Sequence, residues 1–206
     1  MPLVWMFENL ERDGAPYKLQ MVLPPVLCTL LEDTVVQAQY IQWLDRSEAF
    51  CVKEVKRVSK NKDLQELASS RLEKIKKCRA DFTDRYGMRL LSQFADRQKS
   101  GTLEIMATCG TNLFMPFFKD TKEILSAKVE TGLNAYKTFF GEIPDGFWLP
   151  DMGYAEGVES IVRAYGFNYT VLDPRSTLLA KDIPDNVLAC GVPCKVVKML
   201  ENSMES

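Results

Sequence analysis

From residue 101 to residue 172 the chain repeats one pattern, a short β-friendly apolar run followed by a longer segment of helical period. Residues 102–107 read as a strand, and Gly110-Thr111-Asn112 supplies loop chemistry after it. Asp120, with Glu123 three residues on, predicts a helix start. Its apolar positions Leu125, Val129, Leu133, Tyr136 and Phe140 advance by strides of four, four, three and four, and Gly141 closes it. Residues 146–149 read as the next strand. Residues 155–165 follow as a helix with Val158, Ile161, Val162 and Tyr165 on one face; beyond the Gly166 cap, 169–172 form another strand. Strands joined in this way lie parallel, through right-handed crossovers. Such sheets and barrels carry their functional residues at the carboxyl ends of the strands. Polar groups fall at three of those ends: residues 109–112, Asp151 and Asp173. Period alone therefore predicts an α/β domain with a small-molecule site.

Upstream, residues 17–23 read as a strand that Pro24-Pro25 turns into a loop. A helical insertion follows. Residues 34–58 repeat Val35, Ala38, Ile41 (or Gln42) and Leu44 at helical spacing. Asp63 with Glu66 predicts a second start, and Leu64, Leu67, Leu72, Ile75, Cys78 and Phe82 predict its buried stripe. Gly87 breaks the pattern before a short helix through Met88, Leu91 and Phe94.

A chain of 206 residues has room for one cored domain and little for two. Its net charge of −2, with acids and bases interspersed, argues against nucleic-acid and anionic-membrane partners. The basic cluster Lys53, Lys56, Arg57, Lys60 and Lys62 sits at helical spacing beside apolar residues and reads as a solvated helix face. With no basic leader and no membrane-length apolar run, the expected location is cytoplasmic. Cys28, Cys51, Cys78, Cys109, Cys190 and Cys194 show no secreted-scaffold spacing and read as reduced thiols, mostly packed in the core. Histidine is absent altogether, so neither a metal site nor another cofactor is expected. Cys190 and Cys194 alone do not make a zinc site. The same absence weakens a metal-dependent polysaccharide deacetylase, whose Asp-His-His metal set has no counterpart.

The stretch Phe147-Trp148-Leu149-Pro150-Asp151-Met152-Gly153-Tyr154 resembles the signature of glycoside hydrolase family 57, which reads Trp-Leu-Pro-Glu, a small or apolar residue, Gly or Ala, then Tyr. Leu103-Glu104-Ile105 with the loop through Asn112 and Met115-Pro116-Phe117-Phe118 is similar to the family's preceding strand and loop. The segment 127–141 is similar to the helix leading into the signature. Residues 5–39, opening on Trp5, Phe7 and Glu8, resemble the branching-enzyme subgroup. The likeness runs in order over roughly residues 5–178. It implies a partial (β/α)7 barrel with a helical insertion, incomplete at both ends, descended from a retaining enzyme of α-1,4-glucans (a hydrolase or a 1,4-α-glucan branching enzyme). The implied partner is glycogen, amylose or maltodextrin, and open sheet edges imply self-association.

On this resemblance Asp151 holds the nucleophile position, and Trp148, Tyr154, Glu104 and Asn112 are the substrate-binding candidates. Three of these have a plainer reading: Trp148 and Tyr154 as core aromatics, Glu104 as a hydrogen-bonded structural acid. Four departures predict an impaired or inactive enzyme. Asp151 is one methylene shorter than the family's Glu, setting its carboxylate back by about 1.5 Å, and a misplacement of about 1 Å can cost on the order of 100-fold. The family's acid/base Asp belongs to a later strand that this sequence does not reach. No His-x-His-x-Pro strand opens the chain, and Asn112 stands where the loop usually carries His. The alternatives are a non-catalytic glucan-binding fragment and a fragment without function. Asp173, before Pro174, reads as a turn former. Residues 182–197 resemble the C-terminal end of hexapeptide-repeat acyltransferases, without the repeats or the His such an activity needs. The expected division is therefore a domain over 1–179 and a foreign tail over 180–206.

Overall fold

The computed structural model describes residues 1–172 and the backbone of 187–189; Asp173, Cys190, Cys194 and the remainder of the 180–206 tail lie outside the described residues. The chain divides into two compact units. One comprises Met1–Lys18 with Thr29–Thr102, the other Leu19–Cys28 with the residues from Leu103 onward.

The second unit holds the sheet: β1 (Leu19–Val22), β2 (Leu103–Thr108), β3 (Gly146–Trp148), β4 (Tyr169–Leu172) and β5 (Val187–Ala189). All pairings are parallel and the spatial order follows the chain order. An order without reversal has no switch point and is the winding of a (β/α) barrel, of which this sheet is a part. The pairings Gln20 with Glu104, Thr108 with Trp148 and Gly146 with Tyr169 set the register. Because side chains alternate along strands, those residues share one face with Met106, while Ile105, Ala107, Phe147 and Thr170 share the other.

Helix α6 (Lys122–Phe140) joins β2 to β3 and buries Leu125, Val129, Gly132, Leu133 and Tyr136, the stride visible in the sequence. Gly141, at φ +76°, ends it in the left-handed conformation that glycine adopts without strain. The Tyr136 hydroxyl donates to the Ile105 carbonyl at 3.0 Å. Tyr136→Phe keeps the packing and removes that bond. It is expected to lower stability by about 1 kcal/mol, read as a lower urea midpoint at unchanged m-value. Helix α7 (Val158–Ala164) joins β3 to β4 and buries Val158 and Val162, and Phe147 meets Phe167 at 4.9 Å between ring centroids.

The first unit is helical: α1 (Pro2–Arg12), α3 (Thr34–Arg57), α4 (Lys62–Ala80) and α5 (Leu90–Lys99), with a π turn at Asp81–Arg85. Helix α2 (Pro25–Glu32) lies across the division between the units. Asp81 accepts the Trp5 indole N–H at 2.6 Å and the Lys77 ammonium at 2.5 Å. Buried Arg97 grips both oxygens of Glu11 at 2.9 and 3.0 Å and lies over the Phe7 ring. Lys53, Lys56, Arg57, Lys60 and Lys62 are exposed, as expected of a solvated face. Cys28, Cys51 and Cys109 are buried and Cys78 half-buried, with no disulfide among these four.

Several expectations need correction. The strand leaves into a loop of only Leu23 and Pro24, because Pro25 already opens α2, Pro being well suited to a first helical position. The α4 helix is present but buries none of its side chains; Leu64 and Leu67 are 49% and 68% exposed, and within the expected stripe only Phe82, beyond its end, is buried. Its apolar positions have the right period, but helical period does not say whether a neighbour covers them. Val35, at the start of the α3 repeat, is likewise exposed, whereas Leu44 is fully buried. The α4 cap is Asn61, whose side chain accepts from Leu64 N at 3.1 Å, and α6 starts at Lys122 after Thr121 with no side-chain cap. Neither Asp63 with Glu66 nor Asp120 with Glu123 forms the predicted capping pair. Asp33 caps α3 by accepting from Val35 N and Val36 N.

Candidate active site

The carboxyl ends of β2 and β3 are pinned together where Thr108 Oγ1 donates to the Trp148 carbonyl at 2.9 Å. Beyond Trp148 the chain buries Leu149 and Pro150 and turns through a short 3-10 segment, Pro150–Met152. Asp151 sits at φ 56°, ψ 21°, and Met152 follows at φ 53°. Left-handed backbone is costly for residues with a Cβ, about 1–2 kcal/mol each, with Asp less penalised than most. The turn is held by Met152 N donating to Leu149 O at 2.9 Å and Gly153 N to Pro150 O at 3.0 Å. Consecutive strained residues kept in place by their surroundings are a mark of functional turns. Asp151 itself is exposed, and its side chain makes no hydrogen bond or ion pair among the described residues.

The loop after β2 is seated on this turn. A Cβ added at Gly153 would fall 2.7 Å from Phe114 Cε2 and 2.9 Å from Pro116 Cδ, so only glycine admits the contact. Asn112 is exposed on the same loop, next to Thr111, whose hydroxyl accepts from Lys128 Nζ at 2.8 Å. Cys109, at the loop's start, is buried, and burial pushes its thiol up to about 11. That keeps it protonated near neutral pH and unsuited to act as a nucleophile.

Tyr154 is half-buried and donates its hydroxyl to Glu159 Oε2 at 3.0 Å, while Glu159 also accepts from Gly157 N. Burial, with the Glu159 bond second, pushes the phenol up to about 12. A raised pKa favours the folded state below the free-tyrosine value of about 10. This contribution is lost as pH climbs through about 12. Ultraviolet titration of the phenolates is therefore expected to show one fewer late-ionising group in Tyr154→Phe. Titration of that group near pH 10 in the parent would contradict the geometry.

Glu104 lies elsewhere. It is the second residue of β2, opposite Gln20, and accepts from Gln20 Nε2 at 2.9 Å and from the Tyr169 hydroxyl in a very short bond. Burial first, then this carboxylate, pushes the Tyr169 phenol far up. The Tyr169 ring crosses Gly146 so closely that a Cβ there would lie 2.4 Å from its Cζ. Glu104 shares a face with Thr108 but precedes it by four residues, about 13 Å of strand at ~3.3 Å per residue. Trp148 thus ends β3, Asp151 sits in the turn that follows and Tyr154 lies just past it, while Phe114 of the preceding loop meets Gly153 and Glu104 is tied to Gln20 and Tyr169 near the start of β2. Gly153 and Phe114, the pair joining the two loops, carry no sequence signal for their contact, although they fall within and beside the 147–154 and 115–118 motifs. Among the described residues no group of three His, Cys, Asp or Glu side chains is placed to hold a metal ion, and no helix is long and apolar enough to cross a membrane.

The family model described as glycosyl hydrolase family 57 matches residues 5–199. A 1,4-alpha-glucan branching enzyme of Thermococcus kodakarensis is 21% identical over 190 residues, covering 85% of this chain and 27% of that enzyme. The chain therefore spans about a quarter of that relative's length. The crystal structure of an alpha-amylase from Thermotoga maritima superposes with a TM-score of 0.85 at 24% identity, over 92% of this chain and 38% of the other. That of a branching enzyme from Pyrococcus horikoshii gives 0.82 at 19% identity, over 92% and 40%.

Proposed function

The chain belongs to glycosyl hydrolase family 57, and from that premise we propose that it processes α-glucans by retaining double displacement, with Asp151 in the nucleophile position and turnover impaired. The observation that carries this reading is the exposed, unpartnered Asp151 carboxylate on a strained turn at the end of β3, between Trp148 and Tyr154. The named activities of the relatives, branching of 1,4-α-glucan and amylase action, supply the substrate class: glycogen, amylose or maltodextrin. Trp148 and Asn112 are the proposed sugar contacts, and Tyr154 lines the turn with its hydroxyl committed to Glu159. Glu104, engaged by Gln20 and Tyr169, fits a brace better than a sugar contact.

Two observations support impairment: the short side chain of Asp151 and the distance of Glu104. Retention needs a second carboxyl group roughly 5–5.5 Å from the first. Glu104, about four strand residues below Thr108, is not in that position. The second reading, glucan binding without turnover, uses the same Trp148 and Tyr154 and needs no second carboxylate. An acyltransferase-like tail gains no support: β5 pairs in parallel with β4, and the family match continues to residue 199.

The test is release of reducing ends and new branch points from amylose by the parent chain and by Asp151→Asn. Slow turnover that disappears in Asp151→Asn is expected. Equal turnover in both would remove Asp151 from the nucleophile position. No turnover in either, with maltodextrin affinity retained and lost in Trp148→Ala, would select the binding reading.

A further inference from the structure

Phe117 is the most exposed of the large apolar side chains described, at 82%. Isolated apolar residues on a surface are ordinary, but three features set this one apart. First, it is rigidly mounted. The 3-10 turn Met115–Phe118 is anchored by fully buried Met115, stiffened by Pro116, and closed by Phe117 N donating to Phe114 O at 3.2 Å. Second, its ring meets Phe114 edge to face, with centroids 4.9 Å apart at 72°. Third, Phe114 rests on Gly153, two residues beyond Asp151, through the contact only glycine permits there. An exposed aromatic ring is thus coupled through one intermediate ring to the turn carrying the candidate nucleophile, on the end of the sheet where such folds bind ligands.

We propose that Phe114 and Phe117 form a sugar-stacking platform, a glucan subsite beside the Asp151 turn, with Phe117 the ring that meets the sugar. The proposal rests on the α-glucan reading and names a site beyond Trp148, Tyr154, Asn112 and Glu104. A pyranose presents one face of C–H bonds that is apolar and weakly positive, complementary to the negative face of an aromatic ring. The ring costs little entropy on binding because its turn is already fixed. Phe114, half-committed to Gly153, holds the geometry, and Phe117 supplies free surface.

The experiment is calorimetric titration of maltoheptaose into the parent chain, Phe117→Ala, Phe117→Leu, Phe117→Trp and Trp148→Ala, with thermal melting of each. Phe117 is solvent-facing, so its variants are expected to melt with the parent. Phe117→Ala and Phe117→Leu are expected to weaken binding by roughly 5- to 10-fold, and Phe117→Trp to hold or improve it. The failure of leucine, which is apolar but not flat, separates ring stacking from simple burial. Parent-like affinity in Phe117→Ala alongside a loss in Trp148→Ala overturns the platform and leaves the glucan reading standing. No maltoheptaose binding by the parent overturns both.

Discussion

Gly132→Ala is expected to destabilise the sheet unit by about 3 kcal/mol or more, the upper end of what overpacking costs. In an unconstrained helix the same change would help, by about 1 kcal/mol, because alanine loses less backbone freedom on folding. Geometry reverses the sign. A Cβ on Gly132 would fall 1.8 Å from the carbonyl oxygen of Thr108 and 2.9 Å from its carbonyl carbon. The obstruction is backbone, so no rotamer change relieves it; α6 must move off β2. Thr108 is also the residue whose hydroxyl holds the Trp148 carbonyl, so the displacement reaches the turn bearing Asp151. Asn134→Ala, exposed on the same helix, is the control and is expected to be neutral or mildly stabilising. Urea unfolding reads both. A Gly132→Ala chain as stable as the parent would mean that α6 does not approach β2 at backbone distance.

The sequence made parts of this legible because their causes are local. Tyr169 through Leu172 is a strand as read, and the α6 stride from Leu125 to Tyr136 is buried as read. Gly141 and Gly166 end their helices with positive φ, which a helical period followed by glycine predicts. The misses concern relations between distant segments. The α4 period did not reveal that Leu64 and Leu67 face water, because coverage depends on which neighbour arrives. Asn61 won the α4 cap from Asp63 through backbone geometry that residue type alone does not fix. Of the candidate site, Trp148, Asp151 and Tyr154 fall within residues 148–154, so their nearness along the chain is local information. The tie between Glu104 and Tyr169 spans 65 residues and depends on parallel register. The left-handed backbone at Asp151 carries no reliable signal at a residue other than glycine.

That backbone sharpens the expectation for Asp151→Glu, which should raise turnover on amylose by on the order of 100-fold. The added methylene advances the carboxylate by about 1.5 Å, which makes up the shortfall that the proposed function assigns to Asp151. The gain has a structural cost. Asp tolerates φ near +56° better than Glu, whose longer side chain lacks the short-range backbone bonds that ease the left-handed region. A stability loss of up to about 1 kcal/mol should accompany the gain in rate. The two effects are separable, since Asp151→Asn keeps the short side chain and the tolerance of left-handed backbone but has no carboxylate. It should melt close to the parent and show no turnover. If Asp151→Glu were both less stable and no faster, reach would not be the limiting defect, and the turn around Asp151 would fit holding a glucan chain better than cleaving it.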